Sequence, residues 1–240
     1  STLGRRCRQF GTTVAAATAT PTTTTATTAK SPMPQFICLE EATVEDMALA
    51  SVQFQKVASA EKQAESILNL FKSSRGQNVG SQVCLYEHGL QTATRAYDDG
   101  AGQETIVIAL LHDIGELLSP VCHGEVAAAL LRPYISNESH WILTHHEVFQ
   151  AYYYAHAIPE NCDKDAREQF RKSQHFRACE YFCEKYDQTS FDPDYQSKQI
   201  EFFEPMVMEL ISREAYSMPE HMLCELNRAK ASILGGYPES

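Results

Sequence analysis

The stretch Ala109-Leu110-Leu111-His112-Asp113-Ile114-Gly115 decides how this chain is read. It lies in an apolar segment, 104–118, which predicts a buried, central helix ended by Pro120. Burying an imidazole and a carboxylate side by side is costly unless both are paired. Neighbours on a helix point about 100° apart, yet near a helix end both can reach one ion, and the carboxylate can bridge to a second. A helix-terminal His-Asp pair facing water is the plain alternative.

Upstream, Thr43 with Asp46 gives a weak capping signal. Val57, Ala60, Ala64, Ile67, Leu68 and Phe71 recur at three- and four-residue steps, predicting one amphipathic helix that reaches Ser74. Gly76 and Gly80 mark a loop, a helix over 82–97 carries His88, and 98–102 is a turn. Downstream, helices are expected over 124–131, 138–156, 165–186 and 200–212, with a polar loop over 187–194. No alternating strand pattern and no internal repeat occurs. The fold class is therefore all-α, with one domain over 36–240.

Eight of the nine histidines fall between His88 and His175. Imidazole is the commonest metal ligand, and helical bundles build metal sites from side chains that point into a shared core. His145 and His146 are adjacent, so only one should face such a core. Gln150 and Tyr153 follow His146 by four and seven residues and share its face. Core packing is the blander account of Tyr152, Tyr153 and Tyr154. Asp187 ends an aromatic-rich helix, with Asp163, Asp165, Asp192 and Asp194 as competing acids.

Taken together, Tyr86-Glu87-His88-Gly89-Leu90-Gln91, the His112-Asp113 stretch, His123, His146 and Asp187 resemble the HD superfamily: a lone His, a His-Asp pair and a distal Asp. The 24-residue step from His88 to His112 is like that of the family's diiron oxygenases, which include the hydroxylated aminoethylphosphonate oxygenase and, more distantly, myo-inositol oxygenase. The resemblance implies an HD-domain helical bundle with a dinuclear metal site in its core. His88, His112, Asp113 and Asp187 would hold the first metal, Asp113 would bridge, and His123 and His146 would complete the second. It implies iron, as a mixed-valent Fe(II)/Fe(III) pair, where donor chemistry alone also suits Mn, Co, Ni or Zn.

Asp113 and Glu116 are the expected catalytic residues, and Gln91, Glu116, Gln150, Tyr153 and His145 the expected substrate contacts. The sequence departs from the phosphonate oxygenases at three places. Asn78 and Ser81 replace the gating Tyr and Glu, Glu116 replaces a phosphonate-binding His, and Gln150 replaces a cationic Lys. These changes suit a less anionic substrate, such as a polyol or amino alcohol. The expected function is an oxygenase that cleaves a C–C or C–P bond of a small hydroxylated substrate, with O2 as co-substrate. The alternative is a phosphohydrolase using Mn or another divalent ion, with Glu116 or Glu147 helping. A non-catalytic, metabolite-sensing HD module is a third reading.

Composition bounds the partners. With 20 basic and 31 acidic residues the net charge is −11, and the body of the chain has no basic stripe to neutralise phosphates or anionic lipids, so neither nucleic acid nor membrane is expected. Eight cysteines without a Cys-x-x-Cys pair, and no secretory apolar run, point to reduced thiols inside the cell. Cys179 and Cys183 share a helix face and read as small buried residues. Residues 1–35, rich in Thr and Ala with Arg5, Arg6, Arg8 and Lys30 and no acid, are expected to be disordered. They resemble a mitochondrial or other organelle address, the alternative being a plain tail on a cytoplasmic protein. No oligomeric state is implied.

Overall fold

The first α-helix among the described residues starts at a capping box. Thr43 Oγ1 accepts the N–H of Asp46 and the Asp46 carboxylate accepts the N–H of Thr43, which satisfies two N–H groups that the helix itself leaves unpaired. A computed structural model describes residues 33–158 and 162–213. All but Met33 lie in the compact unit that starts at Pro34. The expectations of disorder and an organelle address for 1–35 fall almost entirely outside the described residues. Ordered contacts begin by Gln35, whose N–H donates to Asp46 Oδ1 at 2.7 Å.

Helix α1 spans Val44–Val57 and α2 spans Ala60–Ser73. The single helix expected here is broken because Ser59 is extended and caps α2, its side chain accepting the N–H of Lys62. Only α2 supplies core residues, Ala64, Ile67, Leu68 and Phe71, whereas Val44, Phe54 and Val57 of α1 are exposed. Helix α3 (Leu85–Asp98) is buried along most of its length, and α4 (Gln103–Leu111) is buried from Ile106 to its end. An all-round apolar helix belongs at the centre of a fold, and α4 packs against α3, α6 and α8.

The chain continues with α5 (His123–Leu131), α6 (Asn137–Tyr154), α7 (Phe176–Phe182) and α8 (Ile200–Ile211). No strand occurs among the described residues, as expected for an all-α fold. None of their helices is long and apolar enough to cross a membrane. Two expected helices are shorter than predicted. Regular structure in α4 stops at Leu111, and 112–118 run as tight turns with i→i+3 bonds such as Ile114 N–H to Leu111 O. The expected helix over 165–186 is a 3-10 turn (Ala166–Phe170), a polar corner and then α7. At that corner Ser173 Oγ accepts the His175 N–H, so a side chain replaces a helical carbonyl.

One wide π turn, Cys183–Asp187, extends α7. Its i→i+5 bond runs from Gln188 N–H to Cys183 O at 3.1 Å. A π turn inserts an extra residue into a helix and shifts the phase of the residues beyond it. Here Tyr186 and Asp187 are both turned inward, with Asp187 2% exposed.

Candidate metal centre

Six side chains from α3, the end of α4, α5, α6 and the π turn converge in the core. Their donor atoms form three overlapping groups, each within 4.8 Å: His88, His112 and Asp113; His112, His146 and Asp187; Asp113, His123 and His146. These are the six residues expected from the sequence as metal ligands.

The orientation of each imidazole follows from its Nδ1. In His88 this atom lies 2.9 Å from Ser190 O, in His112 2.9 Å from Ala109 O, in His123 3.1 Å from Pro120 O, and in His146 2.7 Å from Leu143 O. A carbonyl can only accept, so Nδ1 carries the proton in all four, and in the neutral ring Nε2 presents a bare lone pair. All four Nε2 atoms point inward. That of His88 is 3.1 Å from that of His112, and those of His123 and His146 are also 3.1 Å apart.

Asp113 stands between the two pairs. Its Oδ2 lies 3.4 Å from His88 Nε2 and 3.3 Å from His112 Nε2, while Oδ1 lies 3.2 Å from His123 Nε2 and 3.3 Å from His146 Nε2. Asp187 Oδ1 faces His88 and His112 at 3.2 and 3.5 Å. Its Oδ2 is buried with no hydrogen-bond partner among the described residues.

Electrostatics follow from this packing. Burial alone would raise the Asp113 carboxyl, but the charge of His112 and the hydrogen bonds from His123 and His146 hold it well below the usual carboxylate range. Asp187 is lowered in the same way by His112 and His88. Burial opposes the charge on His123, yet Asp113 overcomes it and pushes the ring up to about 9. In the metal-free chain, protons thus take the part of cations. Lone pairs facing each other, a shared carboxylate and an orphaned buried oxygen together fit a pair of bound metal ions.

Glycines let the elements come this close. A Cβ on Gly89, next to His88, would lie 2.6 Å from Leu110 O, and one on Gly124, next to His123, would lie 2.4 Å from Leu143 O. The loop after the π turn is fixed to α3. The Gln91 amide donates to Asp192 O at 2.8 Å and accepts the Asp192 N–H at 3.3 Å, and Phe191 stacks on His88 at 4.5 Å.

The expected substrate contacts divide. Glu116 Oε1 is 3.0 Å from His123 Nδ1, and burial raises its pKa. Gln150 Oε1 is buried without a partner among the described residues. Tyr153 is partly buried against the core, and Tyr152 and Tyr154 are more exposed. Gln91 is occupied by the loop backbone.

His145, also expected as a substrate contact, is placed apart from the metal-ligating side chains. It lies outside the cluster, its Nδ1 donating to Trp141 O at 2.9 Å and its ring stacked 4.0 Å above Trp141. Helical rotation sends one of the two adjacent histidines inward, and it is His146. Asn78 and Ser81 bond within their own loop: Asn78 Oδ1 accepts the Gly80 N–H at 2.8 Å, and Ser81 Oγ donates to Val83 O at 2.5 Å.

Sequence reasoning missed Ser190 and Phe191, which contact His88 only because the π turn brings their loop back; no local signal marks them.

The described residues thus form an all-α fold whose core holds a His/Asp cluster able to take two metal ions. Residues 85–177 match the family model of the HD domain. That stretch contains His88, His112, Asp113, His123 and His146 and ends short of Asp187. No curated protein matches the chain in a comparison of sequences.

Proposed function

We propose that the chain is a dinuclear HD-domain enzyme, a diiron oxygenase that cleaves a C–C or C–P bond of a small, polar, hydroxylated substrate. The observation that carries this is the Asp113 carboxylate, with one oxygen toward the His88–His112 pair and the other toward the His123–His146 pair. His88, His112, Asp113 and Asp187 would hold one ion, and Asp113, His123 and His146 the other. The iron pair supplies the redox chemistry with O2.

The chain's own residues orient and protect. Ser190, Ala109, Pro120 and Leu143 carbonyls fix the four tautomers. The first group is sealed, with side-chain exposures of 4% for His88, 0% for His112 and 2% for Asp187. Asp113 at 19%, Glu116 at 18% and His123 at 12% are more open. Substrate therefore approaches the second group, where Glu116 can hold a proton beside His123. The unpartnered Gln150 Oε1 can accept a hydrogen bond from a substrate hydroxyl or amine.

A second reading, a metal-dependent phosphohydrolase, draws on Glu116, a carboxyl whose pKa burial raises and which is poised to serve as a general base beside the open group. The two separate in one set of assays. The oxygenase consumes O2 with its substrate and, after partial oxidation, gives the paramagnetic resonance signal of a coupled Fe(II)/Fe(III) pair. Turnover of phosphate esters with Mn or Mg under anaerobic conditions, with no such signal, would establish the hydrolase instead.

A further inference from the structure

Arg167 is 7% exposed, the most deeply buried lysine or arginine among the described residues. Its Nε and Nη1 have no hydrogen-bond partner among the described residues. Two carboxylates are near, but neither is close: Glu180 at 3.6 Å from Nη2 and Glu168 at 3.9 Å from Nε. Both acids are held more tightly by others. Glu180 pairs with Arg177 at 2.5 Å and faces Arg171 at 3.8 Å, and Glu168 takes the Arg171 Nε–H at 2.7 Å. The guanidinium face rests 3.6 Å from the centre of the Tyr152 ring, which fixes its plane. A buried guanidinium with unsatisfied N–H groups is costly unless an anion completes it.

The position of this cation gives it a use. His146, Gln150 and Tyr153 lie in turn along one face of α6 at steps of four and three. That face starts in the metal centre and ends at Tyr153, whose phenol interacts with Arg167. From the other side, the Cys183 thiol bonds to His146 O at 3.6 Å. Gln150 contributes its orphaned Oε1 midway.

We propose that Arg167 is the anchor for an anionic oxygen group, phosphate or carboxylate, on the substrate whose hydroxylated end lies at the metal centre. The charge that is missing at position 150 is thereby supplied from a different element. The less anionic substrate suggested by Glu116 and Gln150 gives way to one whose anion is bound elsewhere. The proposal rests on the metal-centre reading only for where the rest of the substrate lies.

The test uses the metal-loaded full-length chain and calorimetry with three probes: glycerol 3-phosphate, glycerate and glycerol. At least one anion is expected to bind ten times or more tighter than glycerol, and its preference over the other identifies the group. Arg167→Met should lose that advantage, roughly 10- to 100-fold in Kd for a charge-assisted hydrogen bond, with metal content unchanged. Arg167→Lys should regain part of it. Without ligand, Arg167→Met should melt at or above the wild type, since a buried guanidinium with two N–H groups left without hydrogen bonds has been replaced by an apolar side chain. Anion affinities in Arg167→Met equal to those of the wild type, or no anion preferred over glycerol by the wild type, overturn the proposal. A wild type that takes up no metal yet is stabilised by inorganic phosphate, while Arg167→Met is not, would sink the proposed function and leave this site standing.

Discussion

His88 Nε2 and His112 Nε2 lie 3.1 Å apart although the residues are 24 positions apart in sequence. Each ring has its other nitrogen bound to a carbonyl. Two lone pairs at this distance repel unless a proton or a metal ion lies between them, so the geometry itself sets what can be measured.

Metal content is the direct check. The full-length chain is expected to hold two ions, and Asp113→Ala, which removes an oxygen from each group, should retain fewer than one. His112→Ala should empty the first group. His123→Ala should leave about one ion, because only the second group depends on it. Elemental analysis of the purified variants decides this, and full occupancy in both His112→Ala and Asp113→Ala would rule the assignment out.

Proton competition arises at His123. In the metal-free chain it is pushed up to about 9, against an ordinary value of 6.5. The ring must lose a proton to bind metal, so uptake near pH 7 should release protons, and affinity should rise with pH until about 9. In the metal-free protein the sign reverses for stability. A raised folded pKa contributes stability that is complete below about 6.5 and is lost as pH rises through about 9. Denaturant titrations of the apo chain between those values should show the decline, and the metal-loaded chain should not share it.

Gly124→Ala tests the close approach of α5 and α6. Helix propensity alone favours alanine by about 1 kcal/mol, but the new Cβ would sit 2.4 Å from Leu143 O, a backbone atom. Backbone shifts of that kind cost about 1–3 kcal/mol, so the net effect should be destabilising. The second metal should bind more weakly than the first. A variant as stable as the wild type in urea would show that the helices can part freely.

Gln91→Leu tests the tether of the 188–194 loop. The amide makes two bonds to the Asp192 backbone from a buried position. Leaving those backbone groups without partners should cost about 1–3 kcal/mol. Hydrogen exchange should quicken in the loop, including Ser190, and spare α4.

Much of the chain's organisation could be read locally. A helix repeats every 3.6 residues, so the apolar spacing of α2, the apolar run of α4 from Ile106 to Leu111 and the Thr43–Asp46 cap are written in short windows of sequence. His88 and the His112-Asp113 pair stood out because they interrupt such windows with groups that apolar helices do not otherwise bury. The breaks at Ser59 and Ser173 were less visible, since a serine side chain competes with the helix only when the backbone turns to meet it.

The sequence by itself determined an all-helical chain with imidazoles and carboxylates on several buried elements. Only the tertiary structure decided which of them meet. The rotation of α6 against α5 chose His146 over His145, and one extra residue in the π turn chose Asp187 from five nearby acids. The approach of the distant Ser190 carbonyl set the tautomer of His88, and the pairing of Glu180 and Glu168 with other arginines left Arg167 Nε and Nη1 without hydrogen-bond partners among the described residues. The choice of His146 and the tautomer of His88 depend on contacts between residues far apart in the chain, where local periodicity carries no information about angle or distance.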